Sequence, residues 1–192
     1  MCNLLIIGAG GQGRVVAETA ELEGRWENIM FLDDRIDVDF VLGHRIIGRM
    51  DEYEQLKDQY EYAIVCIGDN EKRLDLIKKI LKVGYKVPVI VHPRAFVSKY
   101  SSVGEGSVIL AGVVINTGAK IGMGCIININ SCIDHDCVVG DGVHVCSGAV
   151  VRSMCRVGTG SYIGAGAVVK SGAVMGEKFV LNDGNVVSAV TE

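Results

Sequence analysis

Residues 133–157 read IDHDCVVGDGVHVCSGAVVRSMCRV, and an aliphatic side chain returns at every sixth position of this stretch. The same spacing continues without insertion from Val97 to Val187. Small side chains fill most positions four residues after each aliphatic one, and helical patterns are absent after residue 96. A fixed short period indicates a solenoid in which each repeat supplies one strand and one turn.

This period resembles that of the hexapeptide-repeat proteins. The resemblance implies a left-handed parallel β-helix with three repeats, or about 18 residues, in each coil. About five coils would stack at the strand spacing of about 4.8 Å. Large and small inward side chains would then alternate and fill a narrow interior.

The chain before residue 92 has a different pattern, in which short apolar runs alternate with helical periodicity. We predict strands at 3–7, 29–32, 62–67 and 87–91 and helices at 12–23, 51–60 and 71–83. Such alternation indicates a parallel sheet. The predicted fold class is therefore an α/β N-terminal half-Rossmann domain, residues 1–92, followed by a left-handed parallel β-helix of hexapeptide repeats, residues 93–192.

Composition excludes several classes of partner. The net charge is −4 and there is no basic block, which argues against nucleic acid or an anionic membrane surface. No apolar run is long enough to span a membrane, and the N-terminus lacks the features of a signal peptide. The seven cysteines form no C-x-x-C pair, which argues against zinc. We expect reduced, mostly buried thiols and a cytoplasmic location.

A glycine-rich turn, Gly8-Ala9-Gly10-Gly11-Gln12-Gly13, follows the first predicted strand and opens a helix. Its backbone amides and the helix N-terminus can face a phosphate. Asp33 follows at the end of the second strand, where a Rossmann domain binds ribose. Because about 92 residues hold only one mononucleotide half, we expect a single nucleotide diphosphate. The alternative is a tight turn without a ligand.

The position before each aliphatic residue should point outward, yet it is mostly apolar. The apolar members are Val108, Val114, Ile126, Val138, Val150, Val168, Val174, Val180 and Val186. A solvated face would be polar, so we predict a subunit interface. The alternative is local packing under a loop or tail.

His135 lies two positions after the aliphatic residue of its repeat. This position is polar in most other repeats, so we expect His135 to be exposed. Its flanking carboxylates could hold one tautomer and stabilise the imidazolium. Ser153 lies eighteen residues later, one coil above on the same corner. His144 lies at the outward position before an aliphatic residue. That position is mostly apolar in the other repeats, so His144 should lie near the predicted interface. We expect these three residues to approach one another, and the alternative is two solvated surface histidines.

At these residues the chain resembles the sugar O- and N-acetyltransferases related to the sialic-acid O-acetyltransferases and the bacillosamine-pathway 4-aminosugar N-acetyltransferases. The resemblance spans nearly the whole chain. Its motifs are IIGAGGQGRVV at 6–16, FLDD at 31–34, AIVCIGDN at 63–70, VIVHPRAFVS at 89–98 and IDHDCVVGDGVHV at 133–145.

The resemblance implies that His135 is the general base and that Asp136 assists it. It implies a homotrimer with acetyl-CoA in the groove between adjacent β-helices, beside His144, Ser153 and Ala165. It also implies a nucleotide-sugar site formed by Gly10, Gly11, Gln12, Gly13, Asp33, Asp34, Arg35, Gly68, Asn70 and Asn128. No metal is required.

The chain departs from this family at two places. Family members often have histidine at the position of Gln12, and a Gly-Gly pair often replaces Ser153-Met154. Ser153 still offers a backbone N–H to the thioester carbonyl. The residues alone leave the partner of His135 open, because neighbours on a regular strand point to opposite faces. Asp134 is therefore a rival to Asp136.

We hypothesise an acetyl-CoA-dependent N-acetyltransferase that acts on the 4-amino group of a nucleotide-linked sugar, expected to be a UDP-sugar, for surface glycan or glycoprotein synthesis. The runner-up is O-acetylation of sialic acid or another sugar hydroxyl. A γ-type carbonic anhydrase would need three zinc histidines, and the repeats contain only His135 and His144. A non-catalytic nucleotide-sugar sensor would respond to a nucleotide but not to acetyl-CoA.

Overall fold

The computed structural model describes residues 2–35 and 38–188, and the chain divides into two compact units, Met1–Ile90 and Val91–Glu192. The elements of the first unit, in chain order, are β1 (Cys2–Ile7), α1 (Gly11–Glu23), β2 (Trp26–Leu32), β3 (Phe40–Val41), β4 (His44–Arg45), a 3₁₀ helix (Met50–Leu56), β5 (Tyr62–Val65) and α2 (Asn70–Val83). Its main sheet is parallel, with the order β2-β1-β5. The half-Rossmann arrangement predicted from the sequence is confirmed.

The central strand β1 forms the core of this unit. Its residues Leu4, Leu5, Ile6 and Ile7 are fully buried. Near-continuous apolar sequence is typical of a parallel strand that is covered on both faces. Helix α1 contributes Val16, Ala17 and Ala20 to the buried residues.

Two predicted elements differ from the structure, and one observed element was not predicted. The helix predicted at 51–60 is the shorter 3₁₀ helix, in which Tyr53 is the buried residue, so it lacks the apolar face that stabilises an α-helix. The strand predicted at 87–91 is limited to β6, Ile90–Val91. The antiparallel hairpin β3–β4 was not predicted, because two-residue strands are too short to show a period of two.

The second unit is a left-handed parallel β-helix of about five coils, as predicted. After β6 come sixteen strands of two residues each: β7 (Phe96–Val97), β8 (Ser102–Val103), β9 (Val108–Ile109), β10 (Val114–Ile115), β11 (Lys120–Ile121), β12 (Ile126–Ile127), β13 (Cys132–Ile133), β14 (Val138–Val139), β15 (His144–Val145), β16 (Val150–Val151), β17 (Arg156–Val157), β18 (Tyr162–Ile163), β19 (Val168–Val169), β20 (Val174–Met175), β21 (Val180–Leu181) and β22 (Val186–Val187). Each strand from β6 to β19 pairs with the strand three places later, so that Ile115 lies beside Ile133.

These strands form three parallel sheets. The first sheet contains β7, β10, β13, β16, β19 and β22, the second contains β8, β11, β14, β17 and β20, and the third contains β6, β9, β12, β15, β18 and β21. Within a coil the chain passes from the third sheet to the first and then to the second. The interior combines buried aliphatic residues with small ones such as Ala119, Ser131 and Ala149.

The corners of the β-helix share one backbone conformation. Every sixth residue from Gly106 to Gly184 has a positive φ, which favours glycine. Asn130, Asp136, Met154 and Lys178 are the members of this series that are not glycine. A left-handed residue with a side chain costs roughly 1–2 kcal/mol.

The outward rows of the sheets differ in character. In the first sheet the row is apolar and at least partly exposed, and its members are Phe96, Val114, Cys132, Val150, Val168 and Val186. In the third sheet Val108 and Ile126 are only 2% and 1% exposed within the chain itself. Local packing therefore accounts for those two, whereas the first sheet keeps an apolar outer face.

Candidate active site

His135 lies at the corner between the first and second sheets, directly after β13. Asp134 Oδ1 accepts a hydrogen bond of 2.7 Å from the backbone N–H of His135. Asp136 has a φ of +58°, the left-handed conformation of the corner series. Because this conformation interrupts the strand, Asp136 does not follow the usual alternation of side chains. His135 and Asp136 can therefore face each other.

The imidazole of His135 is paired with Asp136. Its Nδ1 lies 2.8 Å from Asp136 Oδ2, and 43% of the His135 side chain is exposed. A carboxylate only accepts hydrogen bonds, so Nδ1 carries the proton and Nε2 keeps its lone pair in the neutral ring. The hydrogen bond to Asp136 raises the pKa of His135 above its ordinary value of 6.5. Desolvation lowers this pKa, whereas the negative charges of Asp134 and Asp136 raise it further.

The two aspartates make different contacts. The backbone N–H of His135 lowers the pKa of Asp134, and a 3.2 Å hydrogen bond from Asn116 Nδ2 adds to this effect against desolvation. The charges of His135 and Arg152 lower it further. In this geometry Asp134 contacts the backbone of His135, whereas Asp136 contacts its ring.

Ser153 lies one coil above His135 on the same corner, as its eighteen-residue spacing predicted. The backbone N–H of the next residue, Met154, donates to the His135 carbonyl at 3.0 Å, which fixes the two coils against each other. The Ser153 hydroxyl donates to Ser171 Oγ at 3.2 Å. No acceptor within residues 2–35 and 38–188 takes the backbone N–H of Ser153. This donor is therefore available to a ligand.

His144 and two other predicted residues lie elsewhere on the β-helix. His144 is in β15 of the third sheet, which does not border the corner that carries His135. Its ring meets Tyr162 edge-on, with centroids 5.3 Å apart. Asn128 and Ala165 lie at the corner between the third and first sheets, where the Ala165 N–H donates to Asp183 Oδ1 at 2.8 Å. Contrary to expectation, a single chain does not bring His144 to His135.

The glycine-rich turn at the start of α1 has the predicted strand–turn–helix form. Gly8 has a φ of +104°, and a Cβ at Gly13 would collide with the carbonyl oxygen of Gly8. Gly10 is the N-cap of α1 and Gly11 its first residue, and a Cβ on either would meet no atom within 4 Å. The side-chain nitrogen of Gln12 is buried and has no hydrogen-bond partner in the described part of the chain. These features leave space and an unused donor beside the helix N-terminus.

Asp33 holds this turn together. Its Oδ2 accepts the Ala9 N–H at 2.6 Å, and its Oδ1 accepts Arg35 Nε at 2.7 Å. Arg35 Nη2 also donates to the Ala9 carbonyl at 2.6 Å. Burial alone would raise the pKa of Asp33, but the hydrogen bonds from Arg35 and Ala9 lower it. Since both carboxylate oxygens are engaged, a ribose hydroxyl would have to share or displace these contacts.

A cavity of about 190 Å³ adjoins this cluster. It is lined by Asp33, Arg35, Val38, Asp39, Ile46, Gly48, Arg49 and Glu52. Asp34 is exposed and accepts the Met50 N–H at 3.1 Å. Acidic and guanidinium groups therefore meet at the carboxyl end of β2, the edge at which open α/β sheets bind ligands.

Two residues that support these sites belong to no motif recognised in the sequence. Arg73 is 1% exposed and donates to the carbonyls of Ile67 and Gly68 and to Asn70 Oδ1. It thereby fixes the loop that carries two predicted substrate contacts. Asn116 binds Asp134 from the coil below. The eighteen-residue offset between Asn116 and Asp134 was visible in the sequence and could have identified it.

None of the helices within residues 2–35 and 38–188 is long and apolar enough to cross a bilayer. The same residues contain no cluster of three or more His, Cys, Asp or Glu side chains placed to hold a metal ion.

The family model described as the PglD N-terminal domain matches residues 3–80. The acetyltransferase domain of PglB from Neisseria gonorrhoeae FA1090 is 34% identical, with a TM-score of 0.96, over 100% of this chain and 94% of that one. Its complex with acetyl coenzyme A is 35% identical, with a TM-score of 0.94, over 97% and 91% of the two chains. PerB from Caulobacter crescentus, in complex with CoA and GDP-perosamine, is 32% identical, with a TM-score of 0.93, over 98% and 89%.

These likenesses extend over both units of the chain and exceed what a shared fold alone would give. A related structure from Caulobacter crescentus is described as a perosamine N-acetyltransferase, and it is 31% identical over 98% of this chain. The chain belongs to the sugar N-acetyltransferases of the hexapeptide-repeat family.

Proposed function

We propose that this protein transfers the acetyl group of acetyl-CoA to the 4-amino group of a nucleotide-linked amino sugar, with His135 as the general base. The observation that carries the proposal is the His135–Asp136 pair, which leaves Nε2 as the basic atom. The unused N–H of Ser153 lies one coil above it on the same corner. The PglB domain binds acetyl coenzyme A and PerB binds CoA with GDP-perosamine. These precedents favour acetyl-CoA and a nucleotide-linked sugar as the substrates here. The UDP-sugar remains an expectation from the sequence resemblance.

The reaction needs one base and one oxyanion donor. The neutral amine attacks the thioester carbonyl, a C–N bond forms, and His135 Nε2 takes the proton that the nitrogen loses. The Ser153 N–H stabilises the oxyanion. The C–S bond then breaks, and the thiolate leaves as the CoA thiol after the imidazolium returns the proton. A positioned base contributes about 10²–10⁴-fold and an oxyanion donor about 10²–10³-fold.

The test compares acetyl transfer to a UDP-4-amino sugar, a GDP-4-amino sugar and free sialic acid, measured as thiol release. Wild type should acetylate an amino sugar, and His135→Ala should lose about 10²–10⁴-fold in kcat. His92→Ala is the matched control, because His92 Nδ1 accepts the Arg94 N–H at 3.0 Å and His92 is not one of the predicted site residues. Activity on sialic acid alone would exclude N-acetylation. Activity of His135→Ala equal to that of the control would exclude this mechanism.

The arrangement of the histidines favours a homotrimer with sites between subunits. Within one chain, His135 lies on the corner between the first and second sheets, and His144 lies on the third sheet, which does not border that corner. The two histidines can therefore serve one site only if different copies of the chain supply them. The apolar outer row of the first sheet, from Phe96 to Val186, offers a contact surface for a neighbour.

Complementation tests this arrangement. In this proposal His144 of a neighbouring copy lies beside the acetyl group, so His135→Ala and His144→Ala chains should each lose activity alone. Co-expressed, they should regain about a quarter of the wild-type activity, because random mixing gives that share of intact sites. Sedimentation should show a trimer. A monomer, or the absence of any recovery in mixed assemblies, would contradict it.

A further inference from the structure

Asn116 contacts the candidate base only through Asp134. Its Oδ1 accepts the Thr117 N–H at 2.8 Å, and its Nδ2 donates to Asp134 Oδ1 at 3.2 Å. The orientation of this amide is fixed, because a backbone N–H can only donate and must face the oxygen. The nitrogen of Asn116 is therefore directed at Asp134, one coil above.

Asp134 Oδ1 receives two donors at once. The Asn116 amide approaches from the coil below, and the His135 N–H approaches from the same turn at 2.7 Å. The same turn geometry recurs at Asn128, whose Oδ1 accepts the Ile129 N–H at 2.8 Å. At Asn116, however, the amide nitrogen also links two coils, so it restrains the peptide that carries the base.

We propose that Asn116 is a positioning residue for His135, acting through Asp134. This inference rests on the proposed function. The Asn116–Asp134 link sets the backbone of His135, while Asp136 sets its ring, and both restraints are needed to direct Nε2 at the acceptor. The charged groups near the base are Asp134 and Asp136, with Arg152 from the coil above acting on Asp134.

Replacing the donor with an acceptor tests the link. Asn116→Asp keeps an oxygen for Thr117 but places a second carboxylate against Asp134. We expect kcat/KM to fall on the order of 10-fold, since a displacement of about 1 Å can cost as much as 10²-fold. The added negative charge favours the imidazolium, so the acid limb of the pH–rate profile should move to higher pH. The KM for acetyl-CoA should change less than about twofold.

A double variant and a control separate positioning from folding. In N116D/D134N the new amide at position 134 can donate to the new carboxylate at position 116, so the link is restored with donor and acceptor exchanged. The amide oxygen at position 134 can still accept the His135 N–H. It should recover to within about threefold of wild type. Asn182 has the same position within its six-residue repeat but lies in the last coil, at the corner between the third and first sheets. Asn182→Asp should therefore keep the wild-type pH–rate profile. An Asn116→Asp profile that matches Asn182→Asp, or a double variant without recovery, overturns the inference. An active His135→Ala instead overturns the proposed function.

Discussion

Gly118 and Gly172 offer a matched pair of substitutions on the corner that carries the candidate base. Both have a left-handed φ, +71° and +74°. A Cβ at Gly118 would collide with Asp136 Oδ1 and lie 3.3 Å from Asp136 Cγ, whereas a Cβ at Gly172 would meet no atom within 4 Å. Gly118→Ala therefore combines backbone strain with displacement of Asp136, and Gly172→Ala gives the strain alone.

The two variants should lose similar stability and different amounts of activity. Left-handed alanine costs about 1–2 kcal/mol, and at about 2–4 °C for each kcal/mol both should melt roughly 2–8 °C below wild type. The Asp136 carboxylate is the mobile end of a side chain, so moving it adds little to that loss. Its displacement breaks the 2.8 Å bond to His135 Nδ1. We expect Gly118→Ala to lose about 10-fold more kcat than Gly172→Ala, a part of the 10²–10⁴-fold that a positioned base supplies.

The assay is thiol release with saturating acetyl-CoA, well below both melting temperatures, beside a thermal melt of each variant. The melts show whether the strain is equal, and the rates then isolate the role of the Asp136 carboxylate. Equal melting temperatures with equal kcat would refute the assignment of Asp136 as the partner of the base.

Three further substitutions have expected outcomes. Asp136→Asn removes the charge that raises the pKa of His135, so the acid limb of the rate profile should move to lower pH while the maximal rate falls; an upward shift would contradict this. Met154→Gly relieves a φ of +61°, partly offset by the greater freedom of unfolded glycine, and should raise Tm by roughly 1–3 °C; a lower Tm would show that the side chain packs usefully. Asp33→Asn should have a lower Tm than wild type at pH 7. The difference in Tm should become smaller as pH falls below about 3.8, because the lowered pKa of Asp33 means that its carboxylate stabilises the fold only while it is ionised. A difference in Tm that does not change with pH would show that the charge of Asp33 contributes nothing to stability.

The β-helix was predictable because one rule, the six-residue period, covers half of the chain. The corner of His135 was predictable for the same reason, since the period fixes which residues share a face. The hairpin β3–β4 and the 3₁₀ helix were not predictable, because each buries too few side chains to leave a pattern. The engagement of Asp33 by Arg35 was also hidden, since nothing in the spacing shows that the two oxygens are already used.

The position of His144 could have been derived from the sequence. It lies nine residues after His135, which is half of an eighteen-residue coil and places it on a different side of the β-helix. The choice between Asp134 and Asp136 was likewise accessible. Ten of the fourteen residues in the corner series are glycine, so the sequence already marks Asp136 as left-handed and able to turn toward its neighbour.

Three of the four residues that replace glycine in this series differ in what accompanies their strain. Each accepts a conformation that costs roughly 1–2 kcal/mol, and such strain persists where it serves a site or is otherwise compensated. Asp136 accepts a hydrogen bond from the ring of His135. Asn130 belongs to a residue type that tolerates the left-handed region. Met154 has an exposed side chain directly above Asp136, and none of its described contacts offsets the strain. The strain at Asp136 is therefore linked to the candidate chemistry, whereas we expect Met154→Gly to remove strain without disturbing the His135–Asp136 pair below it.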